Sequence, residues 1–295
     1  MAVFTTYDAV GLAESVEDII YDISPSDTPF HSLVRNETVN ARTFEWIEDS
    51  LGSSAANAEV EGFTASDDTL GTPSLRSNVC QIMSKTINIS ATQESVKTYG
   101  RASQTAYELA KALKEIKKDY ERAMVGVSNA AVAGNASTAR EMSSIDQQIS
   151  GSTDAGSNAT DALTEGVLNT AGQAAYTAGS NPDVFMIKPA DSLIVAGFAT
   201  ASNKTRTFND DTTTYVNVIE VLVTPFGTYR VVLNREQLST HAFLIDTSMF
   251  RTVTLRPFTR TLLAKQGDND RHLLVGEVSC KHVSFADSHM ITGLS

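Results

Sequence analysis

Five histidines are the first residues in this chain that could do chemistry: His31, His241, His272, His282 and His289. A metal centre shows in sequence as short fixed intervals that return ligands to one point, and these five have no such spacing. His272 and His282 lie ten positions apart on a strand–turn–strand stretch, where unconnected packing histidines are the expected reading. Asp210-Asp211 could touch a cation, but a solvated acidic loop accounts for the pair. Asp268 and Asp270 stand in Gly267-Asp268-Asn269-Asp270, which is ordinary turn composition. Cys80 and Cys280, 200 positions apart with no CxxC, read as small buried hydrophobes, with a disulfide as the lesser alternative. Lys111, Lys114, Lys117 and Lys118 form a cationic cluster, yet Glu108, Glu115, Asp119 and Glu121 are interleaved with them. That describes a solvated helix face. GxGxxG, GxxxxGK[ST], GxSxG and HExxH are all absent, so no enzyme, cofactor or metal is expected.

Composition bounds the remaining classes. A chain of 295 residues, 41% of them hydrophobic, can bury a substantial core and is expected to form two lobes. Its net charge of −12 argues against a dedicated nucleic-acid binder, which needs a basic footprint. The opening MAVFTTYDAV has neither the basic nor the apolar region of a signal peptide. No run of about 18 apolar residues occurs, so no membrane span is expected.

The elements that would position these residues centre on 90–127. Ser90 and Gln93 stand at capping-box spacing. Behind them, apolar or small residues recur in three- and four-residue steps, among them Leu109, Leu113, Ile116, Tyr120, Ala123 and Val127. Arg101, Glu108, Lys111, Glu115, Lys118 and Arg122 occupy the other face, which predicts one amphipathic helix ending near Gly126 or Gly134-Asn135. At about 1.5 Å per residue it would run roughly 55 Å. Leu113 and Ile116 are expected to pack under the C-terminal strands.

Ahead of this helix lie an amphipathic piece at 12–22 and a Pro-punctuated turn, Ser24-Pro25-Ser26-Asp27-Thr28-Pro29. Strands are expected at 44–48 and 79–89. Between them, 51–74 holds Glu59, Glu61, Asp67 and Asp68, and no Lys or Arg occurs from Thr43 to Leu75. Such a segment is either a floppy loop or a hairpin that embraces another copy. Past the helix, a low-complexity connector at 134–160 precedes a small α/β lobe. Its expected parts are a helix to about Ala178, the buried strand Val184–Ile187 and a Pro189-led helix to Phe198. Strands follow at 216–223, 228–233, 242–245, 253–256, 260–265 and 273–284, and Ala286 to Leu294 closes the chain.

This order of parts resembles the Hong Kong 97-type major capsid protein of tailed bacteriophages. Thr5-Thr6-Tyr7-Asp8, Glu17-Asp18-Ile19-Ile20 and Ser24-Pro25-Ser26-Asp27-Thr28-Pro29-Phe30 are similar to the start of the SU-ten-like capsid family. Gly267-Asp268-Asn269-Asp270, Gly276-Glu277 and Ile291-Thr292-Gly293-Leu294 resemble its C-terminal part. The resemblance implies an α+β fold with an N-arm (1–43), an E-loop (44–89), a P-domain spine helix (90–134), an A-domain (135–250) and P-domain C-terminal strands (251–295). It implies a structural protein that assembles as pentamers and hexamers into an icosahedral shell around phage DNA in the host cytoplasm. Expected partners are copies of itself, a portal protein, a separate scaffolding protein and a cement protein. The E-loop would lie across a neighbour's P-domain, setting Glu59, Glu61, Asp67 and Asp68 over Lys111, Lys114, Lys117 and Lys118. The tip lacks lysine, so the lysine–asparagine cross-link of the family's best-known relative is not available from it. Three other readings stand beside this one: an encapsulin-type compartment holding protein cargo, a hydrolase with dispersed catalytic residues, and a coiled-coil dimer through the spine.

Overall fold

The computed structural model describes residues 27–52, 54–65, 67, 70–96, 103–156, 162–198 and 221–295. The expected helix at 12–22, the first half of the turn at 24–29, Asp210-Asp211 and residues 216–220 of an expected strand lie outside them. In chain order the elements are α1 (Pro29–Leu33), β1 (Arg35–Thr38), β2 (Thr43–Glu48), β3 (Ser74–Val79), β4 (Gln81–Ser90), α2 (Ala91–Ser95) and α3 (Gln104–Val125). There follow α4 (Ile145–Gln148), β5 (Gly151–Asp154), α5 (Glu165–Thr177), β6 (Val184–Ile187), α6 (Ser192–Phe198), β7 (Val221–Thr224) and β8 (Gly227–Leu233). The chain closes with β9 (Ala242–Ile245), β10 (Phe250–Leu262), β11 (Asn269–His282) and β12 (His289–Thr292).

The single helix expected from Ser90 to Val127 is two helices. Ser90 does cap α2, its hydroxyl accepting from the Gln93 amide at 3.3 Å. Val96 then turns extended (φ −83°, ψ 132°) and ends it. Ser103, also extended, caps α3 by accepting from the Ala106 amide at 3.2 Å. Glu94 reaches across from α2 to accept from Ser103 Oγ (2.7 Å) and from the Thr105 amide (3.1 Å). The apolar period runs through the break, but side-chain acceptors for a fresh set of first-turn amides decide where the helix restarts.

One sheet has the order β1-β10-β11-β4, with β1 parallel to β10 and the other pairings antiparallel. β10 is one strand where two were expected; register shifts between Thr254 and Thr259 around Pro257 interrupt its alternation. Phe258 turns back over Gly276 in β11, where an added Cβ would come within 2.6 Å of its ring. Ile116 packs with Ala112 and Leu274 against this sheet. Leu113, expected beside it, is 49% exposed, because it lies on the far side of the seam.

The second sheet has the order β5-β12-β9-β6-β8-β7. β6 and β9 are buried at every residue, and alternate side chains feed two cores. Phe185, Ile187 and Leu244 pack with Leu168 and Ala171 of α5 and with Val195 of α6. Val184, Met186, Phe243 and Ile245 join Tyr120 and Met124 of α3, with Phe250 and Cys280 from the first sheet. The two lobes therefore share a core. Residues 251–295 were all expected with the spine, but β12 lies between β5 and β9. Ile291, fully buried in the α5 core, draws it there.

The strand expected at 79–89 is also divided. β3 pairs with β2 in a hairpin, β4 pairs with β11, and Cys80 alone separates them. Among the described residues, no helix is long and apolar enough to cross a membrane.

Candidate functional site

β2 and β3 pair over six positions, from Thr43↔Val79 to Glu48↔Ser74. Beyond that ladder the chain runs out as an arm whose apolar side chains touch nothing of its own. Leu51 is 99% exposed, Leu70 87% and Val60 75%. At the tip the Phe63 amide donates to the Val60 carbonyl at 3.1 Å, closing a turn with Gly62 at φ +82°. A positive φ at that third turn position suits glycine. Glu59, Glu61 and Asp67 are exposed along the arm, without an ion pair among the described residues. Asp68 lies outside them.

The base of the arm is fixed. Glu48 accepts from Arg76 Nε (2.7 Å) and from the Phe285 amide (2.8 Å), and Trp46 Nε1 donates to the Val283 carbonyl (3.2 Å). Aromatic rings continue inward: Trp46 faces Phe285, Phe285 stacks on His282, and His282 lies on Phe250 at 4.1 Å with a 2° tilt. His282 Nδ1 meets the Gln148 carbonyl at 3.1 Å, while Nε2 is buried without a partner. Burial pushes this imidazole down to about 4, against the opposing pull of the Gln148 carbonyl, Glu48 and Asp246.

A second junction holds the segment before β1. Glu121, fully buried in the last turns of α3, accepts from the amides of Phe30 (2.7 Å) and His31 (2.9 Å) and from Asn234 Nδ2 (2.7 Å). It thus satisfies first-turn amides of α1 that have no helical acceptor. Desolvation raises its carboxyl above the ordinary range although these donors pull the other way. Sequence reasoning placed Glu121 on the wet face. The available signal was Val125, an apolar residue one turn later that widens the buried stripe at this end.

The lysine face is assembled largely as the spacing suggests. Lys111, Lys114 and Lys117 are exposed, and Lys118 pairs with Glu236 at 3.5 Å. Lys85 of β4 engages Glu115 (2.8 Å) and Asp119 (3.4 Å), holding the Glu115 carboxyl below its usual value. Two of the interleaved acids are thereby turned toward the body, which leaves the outer face of α3 more positive than its sequence.

The histidines and cysteines offer no chemistry here. Among the described residues, no three His, Cys, Asp or Glu side chains gather as metal ligands. Cys80 and Cys280 are free and buried, with thiols pushed up to about 11 and about 12 by desolvation.

The model of the SU10 major capsid protein family matches residues 2–295. The major capsid protein of Escherichia phage Phieco32 is 28% identical over 329 aligned positions, covering 95% of this chain and 93% of that protein. Among solved structures, the capsid of cyanophage A-1(L) superposes with a TM-score of 0.70 at 12% identity, covering 98% of each chain. An encapsulin of Synechococcus elongatus gives a TM-score of 0.63 at 7% identity, covering 97% of this chain and 93% of that one.

Proposed function

The chain belongs to the SU10 major capsid protein family and has the Hong Kong 97-type fold, and from that premise we propose that copies of it close an icosahedral shell of pentamers and hexamers around phage DNA. One observation carries the reading: an arm clamped at its base leaves Leu51, Val60 and Leu70 exposed, and a neighbouring copy would bury them. The role is structural rather than enzymatic. A net charge of −12 suits a container that must not grip DNA carrying one charge per about 1.7 Å of axis. Assembly in the host cytoplasm, with a separate scaffolding protein, a portal protein and a cement protein, belongs to the same reading.

The contact we propose sets Glu59, Glu61, Asp67 and Asp68 of one copy over Lys111, Lys114, Lys117 and Lys118 of the next. Each exposed pair is worth about 0–1 kcal/mol, so the match steers register more than it adds affinity. Screening beyond about 10 Å at 0.1 M salt means that assembly weakens as salt rises. Reversing Asp67 and Asp68 to Lys should block assembly, and adding Lys111→Glu and Lys117→Glu should partly restore it. Wild-type assembly of the double-Asp variant at low salt would reduce the tip to a solvated loop.

The whole reading is tested by deleting residues 52–70. Circular dichroism and melting temperature should stay near wild type while particles vanish from sedimentation profiles. Shells of normal size from the deletion would defeat it. Fold alone does not separate a phage shell from an encapsulin compartment. Family membership favours the first, and the contents of purified native particles, DNA or protein cargo, are the direct check.

A further inference from the structure

Between α1, α3 and the bulged part of β10 lies a groove of about 340 Å³. Val34, Tyr120, Phe258 and Val278 make an apolar floor, and His31 and Asn36 stand at the rim. Phe258 forms its wall only because Gly276 lets the ring lie down. The rim is cationic: Lys117 is near enough to bear on His31. The arm tip is the complement of this groove. Its turn, Glu59-Val60-Glu61-Gly62-Phe63, presents Val60 at 75% and Phe63 at 54% exposure, with carboxylates on either side of Val60. A solvent-exposed aromatic on a glycine-stiffened turn has nothing to pack against in its own chain.

We infer that the Val60–Phe63 turn of one copy seats in this groove of a second copy, with Phe63 on the apolar floor and Glu59 and Glu61 against the cationic rim. The inference rests on reading the arm as an intersubunit contact and names where on the neighbour it ends. The apolar anchor supplies affinity, which the surface charges alone do not.

The test uses the full chain carrying Phe63→Cys and Asn36→Cys, assembled and then mildly oxidised. Both sites are exposed, and the two native thiols are buried and do not compete. Covalent multimers are expected on non-reducing gels from particles, and none from either single variant. Phe63→Ala should raise the threshold concentration for assembly about tenfold, as loss of a buried aromatic anchor does, and Phe63→Leu should restore most of it. Absence of multimers overturns the inference. So does trapping of Asn36→Cys by a cysteine placed at Leu12, which would give the groove to the N-terminal segment. Cross-linking of Phe63→Cys to Lys111→Cys but not to Asn36→Cys overturns the groove while leaving the charge match standing. Failure at both positions removes both.

Discussion

Glu121 holds the segment at residues 28–33 to the body with three hydrogen-bond donors and no ion pair, whereas Glu48 holds the hairpin arm with Arg76 beside it and Phe285 supplying an amide. The first junction is sealed; the second is half-open, its Glu48 side chain 15% exposed. They differ again in their response to acid. Glu121 has a carboxyl raised by burial, so its contribution is complete below the ordinary carboxylate range and is lost as pH climbs through the raised value. His282, which props the arm base through Phe285, has an imidazole depressed to about 4. Its contribution is complete above its ordinary value of about 6.5 and is lost as pH falls toward about 4. Acid therefore favours the N-terminal junction and loosens the base of the arm. A fold can tie down two appendages with the same side-chain type and still give them opposite sensitivities.

The largest expected effect is at the sealed junction. Glu121→Leu leaves three buried donors without an acceptor and should cost about 3 kcal/mol or more in urea unfolding of the unassembled chain. Glu48→Ala should cost less, about 1–2 kcal/mol, because Arg76 keeps its place 4.4 Å over the Phe285 ring. The reverse order of these two losses would break the comparison. Titrating the urea midpoint sharpens it: His282→Gln should flatten the loss of stability between pH about 6.5 and about 4, and Glu121→Gln should remove the opposite trend. Matching slopes for both variants would mean that the junctions do not titrate separately. Smallest is Leu113→Asp, on the face of α3 that neither junction uses. It should stay within about 0.5 kcal/mol of wild type in the same assay, and insoluble protein would place that face inside the fold after all.

Much of this was legible in the sequence for identifiable reasons. Val184–Ile187 and Ala242–Ile245 read as buried strands because short apolar runs fit a sheet covered on both faces. The missing cations between Thr43 and Leu75 marked the arm, since charge composition survives without any knowledge of geometry. β3 was hidden because its first residues, Ser74 to Ser77, lie in a hairpin with both faces wet and carry no apolar alternation. The break before α3 was hidden because capping chemistry at Glu94 and Ser103 overrides a period that continues past it. Glu121 was misread because a carboxylate with amide donors supplied from elsewhere in the chain looks, in sequence, like any surface acid.

Cys80 separates β3 from β4 by a single residue, and its amide donates to the Arg42 carbonyl at 2.8 Å. A pull on the tip of the arm therefore reaches the body with almost no slack. It passes from the six-pair β2–β3 ladder into the ten registered pairs that β4 makes with β11. Force directed along paired strands loads the rungs of each ladder together, in shear, instead of peeling them one by one. In a container strained from within by its contents, the arm works as a tendon inserted into the stiffest sheet of its own subunit. The pairs that yield first under such tension are the six of the hairpin.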